Sequence, residues 1–265
     1  MPIAGTNFAN TYVFGRGELF VDLFDNNGNK TGERFLGNCP GFSLNIESEQ
    51  FEHFSSTGGL RKKDLTVTLS VNFNAEITCD DVSAQNLALF LGGTVSTVTQ
   101  TATPVTNEAI TVNQDREYQL GATSGNPMGV QDVTSVVVTN VAGTTTYVLN
   151  TDYRLDAAKA RIYIIRGGAI ANGTIVHVDY TPTAGTITRV SSGGSGSQTG
   201  AIRFISDNAA GPNRDLYIAS ASLSPSGELP LITEDELASF TLAVGINERD
   251  SGTPQIIIDG RRIGS

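Results

Sequence analysis

Leu65-Thr66-Val67-Thr68-Leu69-Ser70-Val71-Asn72-Phe73 alternates apolar and polar side chains without a break. A backbone that repeats every two residues turns successive side chains to opposite faces of a sheet. The stretch therefore reads as a strand, with Leu65, Val67, Leu69, Val71 and Phe73 expected in a core. Thr66, Thr68, Ser70 and Asn72 are expected together on the non-core face. Phe42-Ser43-Leu44-Asn45-Ile46-Glu47-Ser48-Glu49 alternates in the same way, placing Phe42, Leu44 and Ile46 on one face.

Outward from these two strands the chain keeps a β character. Charged residues make up 17% of the 265 residues and Trp is absent, against roughly a quarter charged in soluble domains. Thr, Ser, Asn and Gly carry the polar faces and turns instead. Tyr12–Phe24 and Glu33–Leu36, joined by Asp25-Asn26-Asn27-Gly28-Asn29, read as a hairpin. Residues 1–13 lack a period and read as an arm. One or two short helices are expected beside the strands. Asp80–Leu91 has Asp80 or Asp81 as cap, Ala84, Leu87, Ala88 and Leu91 as an apolar stripe, and Gly92-Gly93 as terminator. Thr233-Glu234-Asp235-Glu236 has the capping-box pattern of a second helix start.

From Pro104 to Ala184 the texture changes to short strands at close spacing. They are read at Ala109–Val112, Glu117–Leu120, Ser135–Thr139, Tyr147–Leu149, Tyr153–Asp156, Arg161–Arg166 and Ile175–Tyr180. Such spacing predicts a small Ig-like sandwich. The chain thus divides into residues 1–103 and 186–265, forming one β-sandwich, and 104–185, an inserted β domain. The glycine-rich loop Ser191–Thr199 precedes the resumption near Gly200.

The residues offer little to chemistry. A net charge of −10 disfavours ordinary nucleic-acid binding, which draws on phosphate neutralisation by Lys and Arg. Cys39 and Cys79 lack metal-ligand spacing and are read as reduced thiols. His177 reads as a strand residue, and His53 lies in a polar connection. Asp25, Asn27 and Asn29 begin a calcium-loop pattern that fails at Lys30 and Leu36. Ser192–Ser197 has glycines but no Walker lysine. Asp80-Asp81 and Glu234-Asp235-Glu236 sit at expected helix starts, where the macrodipole favours anions. No catalytic residue, cofactor or metal site is expected, and the chain is not expected to be an enzyme. No segment approaches the ~20 apolar residues of a membrane helix, and the first residues carry no secretion pattern.

Between the two opening strands lies Gln50–Asp64, read as a long connection. Glu47, Glu49 and Glu52 stand on one arm, with His53 beside them, and Arg61, Lys62 and Lys63 stand on the other. Long connections in β domains are usually functional. Opposite charges on its two arms suit docking into a neighbouring copy.

Several stretches resemble the tail tube proteins of long-tailed bacteriophages, in matching order along the chain. They are Phe14-Gly15-Arg16-Gly17-Glu18-Leu19-Phe20, Gly32-Glu33-Arg34-Phe35-Leu36-Gly37-Asn38, Phe51–Gly59 and Ala84–Leu91. Later come Gly200-Ala201-Ile202-Arg203-Phe204-Ile205, Asn213-Arg214-Asp215-Leu216-Tyr217 and Ala221–Glu228. The resemblance covers about residues 10–95 and 200–250. Thr151-Asp152-Tyr153 and Gly173–Tyr180 resemble accessory β domains of phage proteins. The family resemblance implies a virion structural subunit, assembled in the host cytoplasm into stacked hexameric rings of a tail tube. Its partners would be itself and the tail-tip, tape-measure and tail-terminator proteins, with DNA passing the lumen unbound and no membrane involved. It further implies that Glu47–Asp64 reaches an adjacent ring and that the insertion lies outside the tube. The face bearing Thr66, Thr68, Ser70 and Asn72 would then meet the lumen or another subunit. The alternative from another class is a carbohydrate-binding or adhesive β module, disfavoured by the missing Trp.

Overall fold

The computed structural model describes residues 12–193 and 197–260; the arm read at 1–13 therefore lies almost wholly outside the described residues. In chain order the elements are β1 Gly17–Leu23, β2 Arg34–Phe35, β3 Gly41–Ser55, β4 Lys62–Cys79, α1 Ala84–Phe90 and β5 Thr94–Gln100. Then come β6 Val105–Val112, β7 Glu117–Gln119, β8 Val133–Asn140, β9 Tyr153–Asp156, β10 Arg161–Ile164 and β11 Thr174–Pro182. β12 Gly185–Ser191, β13 Gln198–Ser206, β14 Arg214–Ser226, β15 Phe240–Ile246 and β16 Ile256–Gly260 complete the chain. The fold is all-β.

Two compact units divide these elements. Unit 1 runs to Ser96 and resumes at Val190, and unit 2 is Thr97–Arg189. The divisions fall a few residues outside the expected 103/104 and 185/186. β5 and β12, which carry the chain across them, pair as a two-stranded ladder.

Unit 1 is one antiparallel path, β2-β1-β13-β14-β15-β4-β3, with β16 added to the first part of β14. β14 changes neighbour along its length, from β16 at Arg214–Ile218 to β15 at Ala221–Ser226. The residues at the change, Ile218 to Ala221, are all buried. β15 alternates strictly, so Phe240, Leu242, Val244 and Ile246 meet Ile77, Ile202, Ile218 and Leu223 in the core. Replacing one such buried Leu or Ile by Ala costs about 2–5 kcal/mol.

The helix α1 covers part of this core. Leu89 is buried, and the Phe90 ring meets Phe240 edge-on at 5.6 Å. Asn86 is fully buried on the same side; its amide donates to Leu36 O (2.7 Å) and Asp81 O (2.8 Å), and its oxygen accepts from Arg34 Nη1 (2.8 Å). The helix is capped by Ser83, whose hydroxyl accepts from Asn86 N, and not by Asp80 or Asp81. Asp80 is engaged instead by Asn38 Nδ2 at 2.6–2.8 Å. At the other end Gly92 N–H bonds Leu89 O and Gly93 N–H bonds Ala88 O, the paired reverse bonds of a glycine-terminated helix. Gly92 supplies the positive φ of 55° that this ending needs. A Cβ on Gly93 would strike the Ser191 carbonyl, and one on Gly193 would strike that of Gly92. The second expected helix, at 233–236, does not form. Only three residues separate Glu236 from β15, too few to extend a nucleated turn and leave it.

The expected hairpin at the start is present: β1 pairs β2, and the turn is tied by Asp25, whose carboxylate accepts from Asn27 N and Asn29 N at 2.8 Å. Those hydrogen bonds, Asn29's first, hold the Asp25 carboxyl below its usual range.

Unit 2 is a sandwich of two three-stranded antiparallel sheets, β7-β10-β9 and β6-β11-β8. Ile162 and Ile164 of one sheet and Val176, Val178 and Tyr180 of the other share one core. Tyr147–Leu149 is not a strand. It crosses the domain through isolated bridges at Thr146 and Leu149, and Asp152 fastens it by accepting from Val148 N and Ala169 N at 2.8 Å. Burial leaves the Asp152 carboxylate dependent on those two N–H groups, which keep its pKa low.

Candidate functional site: a ribbon that outruns its sheet

β3 and β4 are much longer than a usual strand of five or six residues. Only the inner part of β4 belongs to the sheet, because β15 ends with Ile246 opposite Phe73. From Asn72 to Lys62, β4 has β3 as its sole strand partner. This free part is a two-stranded ribbon roughly 35 Å long at ~3.3 Å per residue. The stretch expected to be a long connection is thus mostly paired strand. Gln50–Ser55 and Lys62–Asp64 belong to β3 and β4, and the true turn is confined to residues 56–61. The alternation of apolar side chains favoured pairing over looping throughout.

The register decides what each face carries. Side chains of directly paired residues share a face. At the root, Phe42/Ile77, Leu44/Ala75, Ile46/Phe73 and Ser48/Val71 lie on the core-side face, and Asn45/Asn74, Glu47/Asn72 and Glu49/Ser70 lie on the other. Between Glu49 and Gln50 the register shifts, with Leu69 as the extra residue of a β-bulge. Beyond it Gln50/Thr68 and Glu52/Thr66 continue the core-side face, while Phe51/Val67 and His53/Leu65 take the opposite one. The apolar stripe therefore changes sides halfway along the ribbon.

Two expectations are corrected here. The apolar residues Leu65, Val67, Leu69 and Val71 are not in a core: Leu69 is 60% exposed, Val71 48% and Ile46 63%. Nor do the four polar residues share a face. Thr66 and Thr68 lie on one and Ser70 and Asn72 on the other, with Ser70 half-buried and the rest exposed. Strict alternation implies one apolar face only while the strand is regular, and one extra residue inverts everything beyond it.

The charged residues are brought together, but largely with each other. Lys63 Nζ lies 2.8 Å from Glu52 Oε1, His53 Nδ1 lies 2.6 Å from Asp64 Oδ1, and the Arg61 guanidinium stands over the Phe54 ring at 5.6 Å. Glu49 accepts from Ser70 Oγ at 3.4 Å. Glu47 is exposed opposite Asn72, and Lys62 is exposed opposite Ser55. The two arms hence form a ladder in which opposite charges close within one chain. What the ribbon presents outward is apolar area. Sequence reading assigned that area to the core because nothing local marks the point where β15 stops.

Elsewhere the polar clusters are self-contained. On the β7-β10-β9 face Arg161 pairs with Glu117 (2.8 Å), Lys159 with Asp156 (3.0 Å), and Arg154 stands over Tyr163. His177 sits half-buried in β11 opposite Ala109 and Thr139. Among the described residues no group of three or more His, Cys, Asp or Glu is arranged to hold a metal ion. No helix of the described residues is long and apolar enough to cross a membrane.

The match to known families runs through both units and the whole ribbon. The chain belongs to the family described as protein of unknown function UCP028589, whose model matches residues 12–255. The UCP028589 match thus takes in the ribbon, the insertion and the strands of unit 1 up to the start of β16. A search of curated proteins found no match to the chain.

Proposed function

We propose that the chain is a structural subunit that polymerises through its ribbon, as a tail tube protein of a long-tailed bacteriophage. The observation that carries the reading is the ribbon with an apolar stripe on each face. A lone two-stranded ribbon is marginal in water, and contiguous exposed apolar area marks a surface that another molecule covers. Because the stripe changes faces at Leu69, the root half and the tip half are covered from opposite sides. Stacked rings of identical subunits supply two such neighbours, one to each half. β3 is also the terminal strand of its sheet, with its outer edge open to a neighbouring strand. The order of the tail-tube-like stretches along the chain supports the same reading. So does the net charge of −10, which suits a channel that DNA passes without sticking. The insertion then decorates the exterior.

Negative-stain electron microscopy of the purified chain across a concentration series tests this. Six-fold rings or hollow tubes are expected, and they are lost in Val71→Asp or Val67→Asp while the subunit stays folded. Monomers at every concentration that are retained on glycan resin would overturn the reading in favour of an adhesive module.

A further inference from the structure

The ribbon is rooted beside a pair of thiols. Cys39 lies two residues before β3 and Cys79 is the last residue of β4. Both are free, and their sulfurs are 2.8 Å apart. The ladder itself brings them together. Gly41 pairs Thr78, and Asp80 N–H still bonds Asn38 O at 3.2 Å, so the two segments run side by side past the last ladder pair. Cys79 is fully buried in the unit 1 core, and Cys39 is half-buried against that core.

We propose that Cys39 and Cys79 are a modification site, forming a reversible intramolecular disulfide that locks the root of the ribbon. The oxidant is a low-molecular-weight disulfide such as oxidised glutathione. Cys39, the more exposed, attacks one sulfur of the oxidant as thiolate, and the first small thiolate leaves. Cys79 then gives up its proton, its sulfur attacks Cys39 Sγ, and the second small thiolate leaves. Two S–H groups thereby lose two protons and two electrons, and the oxidant's S–S bond takes both electrons to become two thiols. The sulfurs close from 2.8 Å to about 2.05 Å, a movement side-chain torsions supply.

The surroundings fit this order of events. The hydrogen bond shared with Cys39, followed by burial, pushes the Cys79 thiol up, which keeps it the protonated, resolving partner. Arg34 is within electrostatic reach of Cys79 and Asp81, and its Nη2 is buried with no hydrogen-bond partner. A cation at that place stabilises the Cys79 thiolate formed in the second step. The bond would tie positions 40 apart in sequence and enclose the whole ribbon. It removes freedom from the unfolded chain and fixes how the two strands leave the sheet.

The test uses the full chain, incubated with oxidised glutathione or with dithiothreitol, then denatured and alkylated. After oxidation, neither cysteine should take up label, and the intact mass should fall by two hydrogens. Trypsin cleavage at the exposed Arg61-Lys62-Lys63 tip should leave halves that stay joined on a non-reducing gel and separate on reduction. The oxidised chain should also melt several degrees higher than the reduced one. Cys39→Ser should abolish all four effects, leaving reduced-state melting unchanged. Full alkylation after oxidant, glutathione retained on one cysteine, a disulfide-linked dimer, or an unchanged melting point despite closure would each overturn the proposal.

Discussion

The two halves of β4 have the same alternating pattern and opposite fates. From Phe73 to Cys79 the strand lies between β3 and β15, and Ala75, Ile77 and Cys79 are buried. From Lys62 to Asn72 it has one neighbour strand, and its apolar residues stand in solvent. Periodicity reports which side chains share a face; whether anything covers that face is set by strands distant in sequence. The inner half is a stability element. The outer half is a surface held out for assembly.

Hydrogen exchange breaks or sharpens this comparison most directly. Amides of Ala75–Cys79 should exchange only through global unfolding. Those of the ribbon should open locally, about a thousandfold faster or more in the unassembled subunit. Equal protection along β4 would remove the distinction. Next in size, Ile77→Ala should cost about 2–5 kcal/mol in urea unfolding. Leu69→Ala should stay within about 0.5 kcal/mol, as for an exposed site. Deleting Leu69 sharpens the contrast further, since it removes the bulge and returns Leu65 and Val67 to the face of Val71. The monomer's melting point should barely move, while ring or tube formation seen by electron microscopy is lost. Tubes that survive the deletion would show that the change of face is dispensable. The smallest effect belongs to the charge ladder. Lys63→Met should alter subunit stability by about 0.2–1 kcal/mol at most, and less at high salt.

Much of the architecture was legible in local pattern. The alternation at 65–73, the turn chemistry at Asp25–Asn29 and the glycine terminator after α1 each follow from backbone rules that act over a few residues. The close strand spacing of the insertion revealed a small sandwich, although Tyr147–Leu149 turned out to be bridged and not laddered. Ser83 was passed over as cap because two carboxylates precede it, and those are claimed by contacts with Asn38 and the neighbouring backbone. The acidic start at Thr233 promised a helix, but a cap without a following apolar stripe has nothing to bury.

The ribbon was less legible. Its charged residues were read as reaching outward, yet Glu52 and Lys63 satisfy each other across the ladder. Its bulge carries no glycine to announce it: Leu69 is an ordinary strand residue whose displacement shows only in the register. The one available clue was length, since two alternating stretches and the residues between them exceed what a strand pair needs to cross a sheet.

The glycines at the crossing have a consequence for how such a chain changes over time. Gly93 and Gly193 let departing and returning backbones touch where a side chain on either would collide. The host fold therefore surrenders and recovers the polypeptide at a single point, with no distance for the insert to span. Whatever is spliced there needs only adjacent ends. A sandwich, a different domain or a bare turn can occupy the slot as an exchangeable cassette, leaving the hosting sheet indifferent to its cargo.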